Sequence, residues 1–154
     1  MGIDQNFGVS PADVTPFNWL FPANPIKHGR ERLAKIVHET CRPETRERWN
    51  VIIVSYLDLN ANAANFYSLR DSLTTGVRCR YTSLDLSAER TVPEVLARIV
   101  AIGPASIVTI KPELQPPPDV INVLAGPVTE ALATDPRFVP ARGAPRDYLI
   151  YRLR

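Results

Sequence analysis

The sequence predicts an α/β domain: a three-layer, mostly parallel sheet with helices on both faces, finished by a C-terminal antiparallel hairpin. Three observations point there. The runs Val51-Ile52-Ile53-Val54 and Ala105–Ile110 are rich in β-branched residues with almost no polar interruption, as central strands buried on both faces are. Segments with apolar residues at helical spacing alternate with these runs. The chain then ends on the alternating run Tyr148-Leu149-Ile150-Tyr151-Arg152-Leu153, after a turn through Gly143 to Asp147.

Taken in order, residues 1–27 carry Phe7, Phe17, Trp19 and Phe21 among four prolines, which predicts an extended arm whose aromatics need a partner surface. The folded domain is then expected over 28–154. From about Gly29 to Cys41, Leu33, Ile36, Val37 and Cys41 recur at helical spacing, and Pro43 ends the amphipathic helix they define. Val51–Val54 is the first core strand. Asp58, Asn60 and Asn62 offer caps for a second helix in which Phe66, Leu69 and Leu73 share one face up to Gly76. Val77–Leu84 alternates as a second strand. Thr91-Val92-Pro93-Glu94 reads as a capping box with proline in the first turn, opening a helix striped by Val92, Val95, Leu96, Ile99 and Val100 and ended by Gly103-Pro104. Ala105–Ile110 is the third core strand. Asp119 caps a helix carrying Val120, Val123 and Leu124, which Gly126-Pro127 should kink before Val128, Ala131 and Leu132 resume the stripe. Phe138–Arg142 and Tyr148–Leu153 form the closing hairpin. Right-handed crossovers assemble these elements into a Rossmann-like or flavodoxin-like sheet with the hairpin at one edge.

Composition limits the rest. The 154 residues suit one domain able to bury about two-thirds of its unfolded surface. Eighteen basic and sixteen acidic residues leave a charge of +2, and arginine is spread along the sequence, so a nucleic-acid partner is not expected. Cys41 and Cys79 have no metal-ligand spacing; two unbridged thiols are the favoured reading, while a bridge from first helix to second strand would fit an oxidising compartment. Met1–Gly8 lacks the positive start and apolar core of a secretory signal, and no apolar run is long enough to span a bilayer.

In open α/β sheets, ligands gather outside the carboxyl ends of the strands where the strand order reverses. The polar residues expected there are Ser55, Tyr56, Asp58, Asn60 and Asn62 after the first strand, Asp85 after the second, and Lys111 and Glu113 after the third. Their carboxylates, amides, hydroxyls and lysine form a set that can hold a sugar or another polyol. The competing reading is local, with Asn60 and Asn62 as helix caps and Lys111 and Glu113 solvated, and it carries more weight. No glycine-rich turn follows the first strand, so no dinucleotide or other cofactor is expected, and no serine sits between glycines at a strand-to-helix turn. His28 and His38 lie on the first helix as structural or surface residues, and Trp49, Tyr148 and Tyr151 are expected to pack.

One family resemblance emerges from this pattern. The aromatic lead-in with Trp19, the strand Trp49–Val54, the segment Leu59–Tyr67, the strand Ala105–Thr109, and Asp135-Pro136-Arg137-Phe138-Val139 with Tyr148–Leu153 together resemble the soluble extracytoplasmic domain of GT-C membrane glycosyltransferases. Those are the dolichyl-phosphate-mannose-protein mannosyltransferase-like and aminoarabinose-transferase-like enzymes. The resemblance covers about residues 17 to 154 and implies a parent enzyme that takes a sugar from a polyprenyl phosphate. It implies a periplasmic position over the transmembrane region of the same protein, with possible contact to glycan or to the polyprenyl-phosphate sugar. It supplies no catalytic residue, since the family's acidic residue lies between membrane helices upstream. The chain is therefore expected to be a piece of a longer protein and not catalytic alone. The alternative is a stand-alone cytosolic α/β enzyme or small-ligand binder using the strand-end residues.

Overall fold

The computed structural model describes residues 23–54, 59–115, 119–144 and 146–154, with 23–30 described in backbone only. Among the described residues, four α-helices and five strands follow in the order α1 (Ala23–Thr40), β1 (Trp49–Ile52), α2 (Ala61–Thr75), β2 (Arg80–Ser83), α3 (Val92–Ile102), β3 (Ser106–Ile110), α4 (Ala125–Thr134), β4 (Phe138–Pro140) and β5 (Tyr148–Leu153). The strands form one mixed sheet in the order β2-β1-β3-β5-β4. β1 runs parallel to both its neighbours, with Val51 opposite Thr82 on one side and Ile107 on the other. β5 is antiparallel to β3, placing Val108 opposite Ile150, and β4 completes the hairpin with Phe138 opposite Leu153.

The β-branched runs take the middle of this sheet because helices cover them. Every residue of β3 is buried, as are Val51, Ile52, Ile53 and Val54. α1 packs against α2 and α3 against α4. The β1-to-β2 and β2-to-β3 crossovers run in opposite directions, so right-handed connections set α2 and α3 on opposite faces. Leu33, Ile36 and Val37 of α1, and Val95 and Ile99 of α3, fill the space beneath them. At the start of α3 the Thr91–Glu94 capping box forms as the sequence requires, and Gly103, at a φ of 58°, ends the helix in the left-handed conformation. Tyr148 and Tyr151 pack inside, while Trp49 stays partly exposed beneath the guanidinium of Arg80. No helix among the described residues is long and apolar enough to cross a membrane.

Four expectations change. α1 begins at Ala23, so residues 23–27 belong to the helix and not to an extended arm; Pro25 falls in the first turn, where a missing N–H leaves no bond unmade. The remainder of the expected arm lies outside the described residues. Residues 119–124 form turns in place of a helix, with the amide and side chain of Asn122 both donating to Asp119. Gly126-Pro127 accordingly sits in the first turn of α4 and kinks nothing.

The third change concerns α2. Its Phe66–Leu69–Leu73 stripe faces outward, with Leu73 83% exposed, and Ala61, Ala64 and Ser68 are buried instead. The reason is its neighbour. β2 is the outermost strand on its side of the sheet, and α2 supplies partners to its backbone. Asn65 accepts from the Tyr81 amide and donates to the Tyr81 carbonyl, both at 2.9 Å. Ser68 does the same for Cys79, accepting at 2.8 Å and donating at 3.0 Å. A helix delivering these short side chains to a strand must approach closely, so its inward face is small and polar.

The fourth change is covalent. Cys41, just past α1, and Cys79, just before β2, form a disulfide with a Cα–Cα distance of 5.4 Å, where two thiols were expected. Cys79 is buried and Cys41 half-buried.

Candidate functional site

The carboxyl ends of β1 and β3 lie side by side, and the connections leaving them diverge toward α2 and α4, which makes this the reversal point of the sheet. Of the polar residues expected there, Ser55, Tyr56 and Asp58 lie outside the described residues. Asn60 is the N-cap of α2, its side chain accepting from the Ala63 amide at 2.9 Å. Asn62 is exposed in the first turn of the same helix. Asp85, beyond β2, accepts from the Ser87 amide at 3.1 Å and from Arg90 at 3.0 Å. Hydrogen bonds from Ser87, then Arg90, hold its carboxyl below the usual range. Lys111 is half-buried at the end of β3, its amide donating to the Asp147 carbonyl at 3.2 Å, and Glu113 is exposed in the 3-10 turn that follows.

Asn60 and Lys111 thus flank the reversal point, while Asp85 serves its own loop. Among the described residues, the ground near them is packed. Leu59 and Leu86 are buried, the Leu124 amide donates to the Leu86 carbonyl at 3.0 Å, and Asn122 is buried beside that contact's loop. Below them, the Thr109 and Thr129 hydroxyls meet at 2.6 Å, and Gln115 donates to the Ile110 carbonyl and to Thr129. The described residues here form packed apolar and internally bonded surface, with no cluster of three metal-ligating side chains among them.

The opposite end of the sheet carries a cavity of about 230 Å³. Here β1 and β3 begin and the antiparallel β5 ends, so Ser106, Arg152 and the 42–48 segment converge. Thr40, Arg42, Glu44, Arg48, Ser106 and Arg152 are among its lining residues. Ser106 donates to the Asn50 side-chain oxygen at 2.6 Å, and both residues are buried. The buried Thr40 hydroxyl donates to the Ile36 carbonyl and lies 2.7 Å from the phenol of Tyr81. Burial pushes that phenol up to about 12, against the pull of the Thr40 hydrogen bond.

The arginines differ in how they are held. Arg48 donates to the Gly103 carbonyl at 3.1 and 3.0 Å and to the Pro104 carbonyl at 2.8 Å, meeting acceptors left open where α3 ends. Arg42 reaches the Glu39 carbonyl at 3.4 Å and its carboxylate at 3.7 Å. Arg152 makes no side-chain hydrogen bond or ion pair with any described residue. Sequence reading missed this site because its basic residues stand about a hundred positions apart. Only the pairing of β5 with β3 brings Arg152 to the start of β3, facing the segment that leads into β1. No protein-family model, no curated protein and no solved structure matches the chain.

Proposed function

We propose that this domain is an extracytoplasmic, non-catalytic module of a larger membrane glycosyltransferase that draws its sugar from a polyprenyl-phosphate donor. In this reading its β2-β1-β3 core is a reduced Rossmann-like sheet packed over the membrane region of the same protein. The carrying observation is the Cys41–Cys79 disulfide, which uses both cysteines of the chain. Such bonds persist in oxidising compartments and are reduced in the cytosol of most organisms. The commitment of Asn60 and Asp85 to local backbone bonds is consistent with a module that supports chemistry performed elsewhere.

An immunoblot of fractionated native cells tests this directly, combined with maleimide labelling before and after reduction. The expected result is a membrane-bound band well above 17.2 kDa whose Cys41 and Cys79 label only after reduction. A soluble band at that mass with freely labelled thiols would overturn the proposal and favour a stand-alone cytosolic protein. Robust hydrolase or transferase turnover by the isolated chain would also overturn it.

A further inference from the structure

From the cavity at the amino ends of β1 and β3, we infer an oxyanion site that takes a phosphate group, with Arg152 and Arg42 as its movable ligands and Arg48 as its fixed one. This does not rest on the glycosyltransferase reading. Three guanidiniums and one carboxylate, Glu44, line the space, and Glu39 approaches from behind Arg42. The surplus positive charge of the lining equals the formal charge of the entire chain, so one small region carries what is balanced elsewhere. Among the described residues, Arg32, Arg70, Arg80, Arg90 and Arg137 each have a carboxylate within salt-bridge distance. Arg152 has none.

Chemistry and size narrow the ligand. The Ser106 and Thr40 hydroxyl protons are directed to Asn50 and to the Ile36 carbonyl, so recognition falls to the guanidiniums, whose planar forks match phosphate oxygens. Arg48 is already oriented by its carbonyl contacts, so it loses little freedom when an anion arrives. At about 230 Å³ the cavity falls below the ~300–1,000 Å³ typical of whole-ligand pockets. It suits a single phosphate group with its substituent left outside. That group belongs either to a small phosphomonoester or to the headgroup of an anionic lipid.

Calorimetric titration of the full chain with inorganic phosphate, at ionic strength fixed with sodium chloride, tests the site. One saturable site per chain is expected. Arg152→Gln should weaken it about tenfold, the scale of losing one charge-assisted bond. Arg42→Gln should weaken it severalfold, and Arg98→Gln, an exposed arginine of α3 outside the cavity lining, should leave it unchanged. Both cavity variants alter exposed side chains, and thermal melts of each are to check that it folds before its binding is read. Absence of saturable binding, or equal losses in Arg98→Gln and Arg152→Gln, would overturn the inference. Phosphatidic acid vesicles then separate the sources. Flotation of the chain with them, reversed by inorganic phosphate and lost in Arg152→Gln, identifies a lipid headgroup; phosphate binding without flotation identifies a soluble phosphomonoester.

Discussion

Tyr81 reports on the interior at the level of one side chain. Its phenol is buried against Thr40 and held up to about 12, above the ordinary value near 10. The folded chain therefore holds this proton more tightly than the unfolded one, so its contribution is complete below pH 10 and is lost as pH rises from about 10 to about 12. Tyr81→Phe should flatten that part of the stability–pH curve, measured by urea unfolding, and cost about 1 kcal/mol at neutral pH for the lost Thr40 bond. Single residues with local roles were legible in the sequence: Asn60, Thr91 and Glu94 act on amides within three positions of themselves. The same locality misleads when polar residues after different strands are summed into a ligand site. Asp85 finds its partners, Ser87 and Arg90, within its own loop, and nothing in its spacing reveals it.

Among elements, α2 shows what periodicity can and cannot say. Phe66, Leu69 and Leu73 identify a helix correctly, but the inward face is chosen by what lies beneath it, and beneath it is the backbone of β2. Leu73→Lys is accordingly expected to change stability by less than about 0.5 kcal/mol, as for an exposed substitution. Ile99→Ala, on the buried stripe of α3, should cost about 2–5 kcal/mol. Asn65→Ala should cost about 1–3 kcal/mol, because the Tyr81 amide and carbonyl both lose their partner. Chemical denaturation of the three variants under identical conditions orders them. α3 and β3 were legible throughout because one is bounded by its own caps and the other is a β-branched run buried on both faces. The 119–124 turns were not, because the helical spacing of their apolar residues is overridden by Asn122 folding back on Asp119.

For the molecule as a whole, the order of elements and the handedness of crossovers were enough to anticipate a parallel core with a hairpin at its margin. Contacts that join distant positions were not, and the two most consequential belong to that class: the arginine-lined cavity and the Cys41–Cys79 bond. Closing a loop of 38 residues restricts the unfolded chain, so Cys41→Ala with Cys79→Ala should lower unfolding free energy by about 4 kcal/mol, read by denaturant titration without reductant. The pairing of Asn65 and Ser68 with β2 has one more consequence. A bare outermost strand is a template on which other chains polymerise, and here that template is occupied by side chains of α2. The opposite margin, β4, is three residues long and ends in Pro140, a poor partner for strand addition. Replacing Asn65 and Ser68 together by alanine should therefore turn a self-contained sheet into an aggregation-prone one, visible as a rise in light scattering at temperatures below the melting transition.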